Sequence, residues 1–316
     1  MTTQKPTWGV VATIKASAED ILNFAAHHLE LGASHLWIYL DAPNPEAKAL
    51  LKGHPKITPV STGENYWIKA RGKRPPMHQN RQSYNARHAY HRAKDLDWLL
   101  HIDVDEFLWP ERAITDQLAA LPESCLTARV RPAEALAPME ESEEPHLFKS
   151  FIANKDDRSR LVAEIYPTFA PYLKGGFVSH VAGKIFMRTK QSNMKVKIHN
   201  VMQNGVRNPG QMELTDTRLL HLHTKGWNHW QKSFTYRHKK GSYRDELGAA
   251  VSEDEGGLNL HKLFTHLAKE PDGLRRFYEE ACLATPELTQ RLRERGVLQE
   301  HVLDLDAKRR KHFPDF

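Results

Sequence analysis

A mostly parallel β-sheet flanked by helices is the fold class that this 316-residue sequence predicts. Three observations carry it. Short apolar runs of strand length recur through the first half of the chain. The segments between the first few of them show helical spacing or turn residues. Two of the runs stop abruptly on acids, at Asp41 and at Asp103. Strands alternating with helices imply a parallel sheet covered on both faces.

The elements follow in order. Trp8–Ile14 (Trp-Gly-Val-Val-Ala-Thr-Ile) reads as a buried strand. Ser17 opens a helix, with Asp20 three residues on in a capping-box position. Ile21, Phe24, Ala25, His28 and Leu29 recur at helical spacing until Gly32 stops it. His35–Leu40 is a second strand ending at Asp41, and Pro43, Asn44 and Pro45 turn the chain. A short helix over 46–52 leads to a third strand over 56–60. A longer helix over 79–94 bears Gln82 and Asn85, while Arg81, Arg87 and Arg92 lie at mixed spacing and are expected to face water. The fourth strand carries an acidic run, followed by a helix over 115–121 and a strand over 125–130.

The second half is less regular. Residues 140–145 read as an acidic loop. Gly175-Gly176 and Gly183-Lys184 mark turns before a short strand, Lys184–Arg188. Further strands are expected over 194–199 and 219–223, then a helix, Trp227–Lys240. Beyond Gly257 the spacing predicts helices over 260–268, 273–283 and 286–295. The basic tail Lys308-Arg309-Arg310-Lys311 is expected to be disordered.

The run Asp97-Trp98-Leu99-Leu100-His101-Ile102-Asp103-Val104-Asp105-Glu106-Phe107-Leu108-Trp109 is the most informative stretch. In extended backbone, residues i and i+2 share a face, so Asp103 and Asp105 are expected to point at one ligand. Two clustered carboxylates repel and resist desolvation unless something positive joins them. A divalent cation carrying a phosphorylated substrate answers that need, and oxygen ligands favour Mg²⁺ or Mn²⁺. Acids at strand ends often mark nothing more than a wet loop, but such a loop needs no apolar residues on both sides. In open α/β sheets ligands bind beyond the carboxyl ends of the strands, where Asp41 would join the pair.

Composition narrows the classes. No stretch is long and apolar enough to span a bilayer, and the polar N-terminus lacks the basic and apolar regions of a signal peptide. The cytoplasm is the expected compartment. Cys125 and Cys282 are the only cysteines, which suggests neither a disulfide scaffold nor a zinc site. The chain has no Gly-x-Gly-x-x-Gly and no Gly-Lys-Ser/Thr phosphate loop, against dinucleotide dehydrogenases and common nucleoside triphosphatases. Net charge is +6, and residues 65–94 hold eight Lys/Arg and no Asp or Glu. Such a segment suits nucleotide phosphates or an anionic membrane. No nucleic-acid-binding module accompanies it.

The acidic run resembles the signature of glycosyltransferase family 2-like proteins, in the branch whose metal motif reads Trp-Leu-x-x-x-Asp-x-Asp-Glu-Phe. The strand Val11-Ala12-Thr13-Ile14-Lys15, the helix with His28 and Gly32, and Asp41 fit that branch. Gly183-Lys184 with Arg188, His199-Asn200, and His221-x-x-x-Lys225 with Lys232 are similar to its later elements. Where the branch has Arg-Asn-Glu, this chain has Lys15-Ala16-Ser17.

The resemblance implies a GT-A-like (Rossmann-like) domain over 1–245 with a helical extension over 246–316. It implies transfer of a sugar from a nucleoside diphosphate sugar to an acceptor hydroxyl, with Mn²⁺ or Mg²⁺. Asp105 would bind the metal and Asp103 the donor ribose or metal-bound water. Thr13, Lys15 and Asp41 would line the nucleotide pocket, and Lys184 and Lys225 would neutralise diphosphate. His221 would complete the metal site, with His199 and His223 as alternatives. Glu164 is the favoured base among Asp156, Asp157, Glu164 and Asp216, because an apolar surrounding raises a carboxyl pKa. The acceptor would be a glycan or a lipid-linked acceptor in bacterial surface-glycan synthesis, and the basic segment would touch an anionic membrane. Other readings are a non-catalytic descendant that binds nucleotide sugar or glycan, a nucleotidyltransferase, and a haloacid-dehalogenase-type phosphatase.

Overall fold

The computed structural model describes residues 5–140, 145–152, 154–251 and 257–316. In chain order the elements begin β1 Trp8–Ile14, α1 Ala18–Glu30, β2 His35–Leu40, α2 Pro45–Gly53, β3 Ile57–Ser61, α3 Glu64–Arg71 and α4 His78–Arg92. Then come β4 Trp98–His101, β5 Glu106–Pro110, α5 Ile114–Ala119, β6 Thr127–Ala135, β7 His146–Ser150 and α6 Lys155–Ile165. A 3₁₀ turn at Ala170–Tyr172 precedes β8 Lys184–Arg188, β9 Met194–Val196, β10 Val201–Gln203, β11 Val206–Arg207 and β12 Met212–His221. The chain closes with α7 Trp227–Lys240, α8 Leu260–Leu267, α9 Gly273–Ala281, α10 Pro286–Glu294, β13 Leu298–His301 and α11 Leu305–His312. The acidic loop expected over 140–145 lies, for residues 141–144, outside the described residues.

Two compact units result. The first comprises residues 1–131, 182–219 and 304–316. Its centre is the expected parallel set β3–β2–β1–β4, with Ile14 opposite Leu40 and Val11 opposite His101. Beyond β4 the pairing turns antiparallel, to β8 and then to residues 127–130 of β6. The architecture is α/β, a central sheet flanked by helices. β1 is buried at every position, as befits a strand covered on both faces. The helix α1 starts as its sequence dictates: the Asp20 N–H donates to Ser17 Oγ at 3.1 Å. It stops at Gly32, whose φ of 90° suits a residue without a Cβ.

The C-terminal tail departs from expectation. It is not disordered but forms α11, which packs on α1. Arg309 reaches Glu19 at 3.0 Å and Asn23 at 2.7 Å, and Lys311 reaches Glu30 at 2.9 Å. Acids on α1 match the basic tail, and buried Phe313 anchors it. Composition alone signalled a solvated charge run; the complementary acids lie almost three hundred residues away in sequence.

The second unit comprises residues 132–181 and 220–303. Residues 133–135 of β6 pair with β7, and β7 pairs with β13. The helices α6 to α10 gather around an aromatic core that includes Trp230, Tyr243, Phe264, Phe277 and Tyr278. A buried ion pair sits there, Lys149 Nζ to Glu134 Oε1 at 3.0 Å. Among the described residues no helix is long and apolar enough to cross a membrane.

Candidate functional site

The acidic run does not stay extended. β4 ends at His101, and residues 103–106 close a tight turn before β5 begins. The Glu106 N–H donates to the Asp103 carbonyl at 3.1 Å, and the Asp103 N–H donates to Glu106 Oε2 at 2.9 Å. The expectation of one shared strand face for Asp103 and Asp105 is therefore corrected: both lie half-buried on a turn, and turn geometry sets their directions. Glu106, fully buried, holds the turn with its own carboxylate. Next to it Phe107 stacks on His28 of α1, ring centroids 6.2 Å apart and nearly parallel at 12°. Two pieces of the sequence resemblance thus pack on one another.

Lys184 binds the turn from β8. Its ammonium is fully buried and lies 2.5 Å from Asp103 Oδ2 and 3.2 Å from Glu106 Oε2. Burial alone would discharge this lysine, but the two carboxylates outweigh it and push its pKa above the ordinary lysine value. Asp103 responds in kind. Burial opposes its charge, yet Lys184 holds its carboxyl well below the usual range. His101, one strand residue earlier, is driven down to about 4, by burial first and then by the Lys184 charge, and stays neutral. Gly183 makes the approach possible: at φ 66°, a Cβ there would lie 2.0 Å from the Val130 carbonyl oxygen.

Asp41 sits at the end of β2, its N–H donating to the Ile14 carbonyl at 2.7 Å. It is 3% exposed and surrounded by hydrogen-bond donors, two of them arginines. Arg81 makes a bidentate pair with it, Nη2 to Oδ2 at 2.7 Å and Nε to Oδ1 at 3.0 Å. Arg74 Nη2 adds 3.0 Å to Oδ1, and His78 lies 3.5 Å from Oδ2. Burial would raise the Asp41 pKa; hydrogen bonds from His78 and Arg81 overcome it and hold the carboxyl far below normal. The expectation that Arg81 faces water is corrected, since it is spent on Asp41. Arg87 and Arg92 are exposed as expected.

One stripe of α4 serves the whole row. His78, Arg81, Gln82 and Asn85 share a helix face by spacing. The first two hold Asp41, Gln82 Nε2 donates to Asp103 Oδ1, and Asn85 Nδ2 donates to Thr13 Oγ1 at 3.1 Å. A helix whose buried face carries Gln82 and Asn85 beside Ala86 and Ala89 advertises polar partners on the sheet. That polar stripe is the one signal that points to these partners, and a reading of charge alone misses it for Arg81.

The first unit therefore brings together Thr13, Asp41, Asp103 and Lys184, with Asp105 on the same turn as Asp103. Lys15, beyond β1, is exposed. His199, also in this unit, meets the Gly183 carbonyl through Nδ1 at 3.0 Å. The remaining expected residues belong to the second unit. Glu164 lies on α6, paired with Arg160 at 2.9 Å and Arg295 at 2.8 Å, so the apolar surrounding expected of it is corrected to an ion-paired one. Lys225 is exposed, and His221 is buried at the end of β12. His223 is buried, with Nε2 2.9 Å from the Tyr243 hydroxyl, and Arg237 Nη2 donates to its carbonyl at 2.6 Å. His180, which no motif of the sequence marks, stacks on His221 with ring centroids 5.2 Å apart.

The donor set on the turn is chemically suited to a hard cation, being carboxylate oxygen. Lys184 compensates one of its charges, and Asp103 accepts from Gln82 and Lys184.

Solved structures resemble the chain only distantly. The galactosyltransferase LgtC, in complex with donor and acceptor sugar analogues, matches at 11% identity and a TM-score of 0.26, over 57% of this chain and 57% of LgtC. HddC from Yersinia pseudotuberculosis matches at 8% identity and a TM-score of 0.35, over 72% of this chain and 99% of HddC. No curated protein matches the chain. Residues 11–249, which include β1, the acidic turn, Lys184 and α7, match the family model of glycosyltransferase family 92, and the chain belongs to that family.

Proposed function

We propose that this chain transfers a sugar from a nucleoside diphosphate sugar to an acceptor hydroxyl, using a divalent cation, Mn²⁺ or Mg²⁺. Membership of a glycosyltransferase family supports the reaction class. The acidic turn at the carboxyl end of β4, braced by Lys184 and Gln82, is the observation that carries the donor chemistry. When bound, the cation would stabilise charge on the departing diphosphate. Asp105 would hold it, and Asp103, oriented by its partners, would meet donor ribose or metal-bound water. Thr13, Lys15 and the Asp41 cluster would face the nucleotide from the neighbouring strand ends. Lys184 acts first on the carboxylates, keeping two of them charged in a buried place.

A GT-A-like reading of the fold agrees with the parallel strands β3–β2–β1–β4, and the similarity to the family 2-like branch is proposed as a common donor-site design. A glycan or lipid-linked acceptor, a cytoplasmic setting against an anionic membrane, Glu164 as base and Lys225 as a diphosphate contact belong to the same proposal. A second reading, a nucleotide-sugar-binding protein without turnover, is favoured by one observation. At Lys15-Ala16-Ser17, Ser17 serves as the cap of α1, so the amide and carboxylate of the related motif have no counterpart here. Release of UDP or GDP from a panel of nucleotide sugars, with Mn²⁺ and with EDTA, separates the two. Transfer predicts metal-dependent release that Asp105→Ala lowers by roughly a hundredfold or more; tight binding with no release from any donor supports the second reading.

A further inference from the structure

The closing helix α11 reaches the neighbourhood of the acidic turn through one histidine of α1. His27 is buried in the last turn of that helix. Its Nε2 lies 2.8 Å from the Leu108 carbonyl oxygen of β5, and its Nδ1 lies 3.3 Å from Lys308 Nζ of α11. A carbonyl oxygen only accepts and an ammonium only donates. The two contacts together therefore assign the ring: Nε2 carries the proton, and Nδ1 presents its lone pair. Burial first, then His28 and the Lys308 charge, hold its pKa well below the ordinary histidine value, so the ring stays neutral.

The bond to Leu108 falls close to the turn. Leu108 stands two residues after Glu106, whose carboxylate accepts from the Asp103 N–H. Between them Phe107 is gripped by the same end of α1. Its ring meets His27 edge-on, with centroids 5.2 Å apart at 89°, and stacks on His28. The first three residues of β5 are thus held by Lys184 at Glu106 and by α1 at Phe107 and Leu108. Lys308 is placed in turn by its neighbours on α11. Arg309 reaches Glu19 and Asn23, and Lys311 reaches Glu30, while half-buried Lys308 directs its ammonium to the ring. Which imidazole nitrogen is protonated is set by the bond that the other makes. With Nδ1 unengaged the proton could sit there instead, and Nε2 would then face the Leu108 oxygen lone pair to lone pair.

We propose that Lys308 is a positioning residue for the acidic turn: by donating to His27 Nδ1 it commits the Nε2 proton to Leu108, and so holds β5 and the turn before it in the arrangement that takes the donor cation. The cation in this inference rests on the proposed transfer function; the relay from α11 to the turn does not.

Nitrogen NMR of the histidine rings and amide hydrogen exchange, both on the full chain, test the relay. The wild type should show His27 as the single Nε2–H form, with the Asp103 and Glu106 amides protected. Lys308→Met should populate the other tautomer and speed exchange of both amides by about fivefold or more. Outer partners of metal ligands are worth about 10–100-fold in affinity; Lys308 acts at one further remove, so the same variant should weaken Mn²⁺ binding, read by calorimetry, about fivefold. Lys308→Arg, which keeps a donor, should restore most of each loss. Arg309→Ala, which alters α11 without touching His27, should leave all three readouts unchanged. Should the melting temperature of Lys308→Met show misfolding, Lys308→Ala takes its place. A His27 ring that keeps the Nε2–H form with both amides protected in the Lys308 variant overturns the proposal, as does Arg309→Ala matching that variant in every readout. Absence of Mn²⁺ binding by the wild type, with the ring and amide changes still seen, would instead count against the transfer reading.

Discussion

At the scale of single residues, Lys184 is the most consequential side chain of the first unit. It compensates Asp103 and Glu106 at once, whereas Arg188, the other cation of β8, donates to the Cys125 and Pro122 carbonyls. Lys184→Met is expected to leave two carboxylates short of a cation and to lower stability by about 3–5 kcal/mol, read as a fall in the urea midpoint. The pH dependence has two parts. Asp41 has a depressed pKa, so its ion pairs stabilise the fold above the unfolded value of about 3.9 and are lost as pH falls through the lower folded value. Asp41→Asn should flatten that acid limb in urea titrations run at successive pH values. His28 and His101 are both pushed by burial down to about 4. Their unfolded forms take up protons first, near 6.5, so stability falls as pH drops from there towards 4. The slope is up to about 1.4 kcal/mol per pH unit for each histidine, and His101→Leu should reduce it.

At the scale of elements, helices and strands were largely legible because their periodicities are strong. β8 and α7 appear with the bounds that the spacing predicts, and α1 begins on its Ser17 cap. The acidic turn was not legible as a turn. Asp-Val-Asp carries no glycine or proline, and what bends it is a carboxylate three residues on reaching back to an N–H, a contact invisible to periodicity. The polar stripe of α4 was visible as residues but not as a face, because its partners lie on β1, β2 and the turn. Gln82→Ala should therefore weaken any donor affinity, measured by calorimetry with a nucleoside diphosphate, more than Arg87→Ala, which alters only an exposed position. For α11, exposed ion pairs contribute little and buried aromatic surface much. Phe313→Ala should cost about 3 kcal/mol in unfolding experiments, and Arg309→Ala about 1 kcal/mol or less.

At the scale of the whole molecule, the chain leaves its first compact unit twice and returns twice. A boundary near residue 245 follows the change from mixed α/β to helical patterning, yet the aromatic core of the second unit draws Phe264, Phe277 and Tyr278 from beyond it. The last segment, 304–316, belongs to the first unit. A fragment ending at residue 245 would forfeit core residues of one unit and the closing helix of the other. Such a fragment is expected to lose cooperative thermal unfolding by near-ultraviolet circular dichroism, whereas removal of 314–316 should leave it. Sequence patterning reports on neighbours, and this organisation is decided by contacts between segments far apart in the chain.

Gly183 adds a consequence for inheritance. A side chain there would have to displace the backbone of β6 before Lys184 could enter, so the lysine and the glycine before it are tied into one heritable unit. In a deep mutational scan selected for folding, position 183 should accept no replacement at all, while position 184 should gain tolerance only in backgrounds that have already lost Asp103 or Glu106. The charge at the centre of the first unit can therefore drift only if a carboxylate leaves before the lysine does.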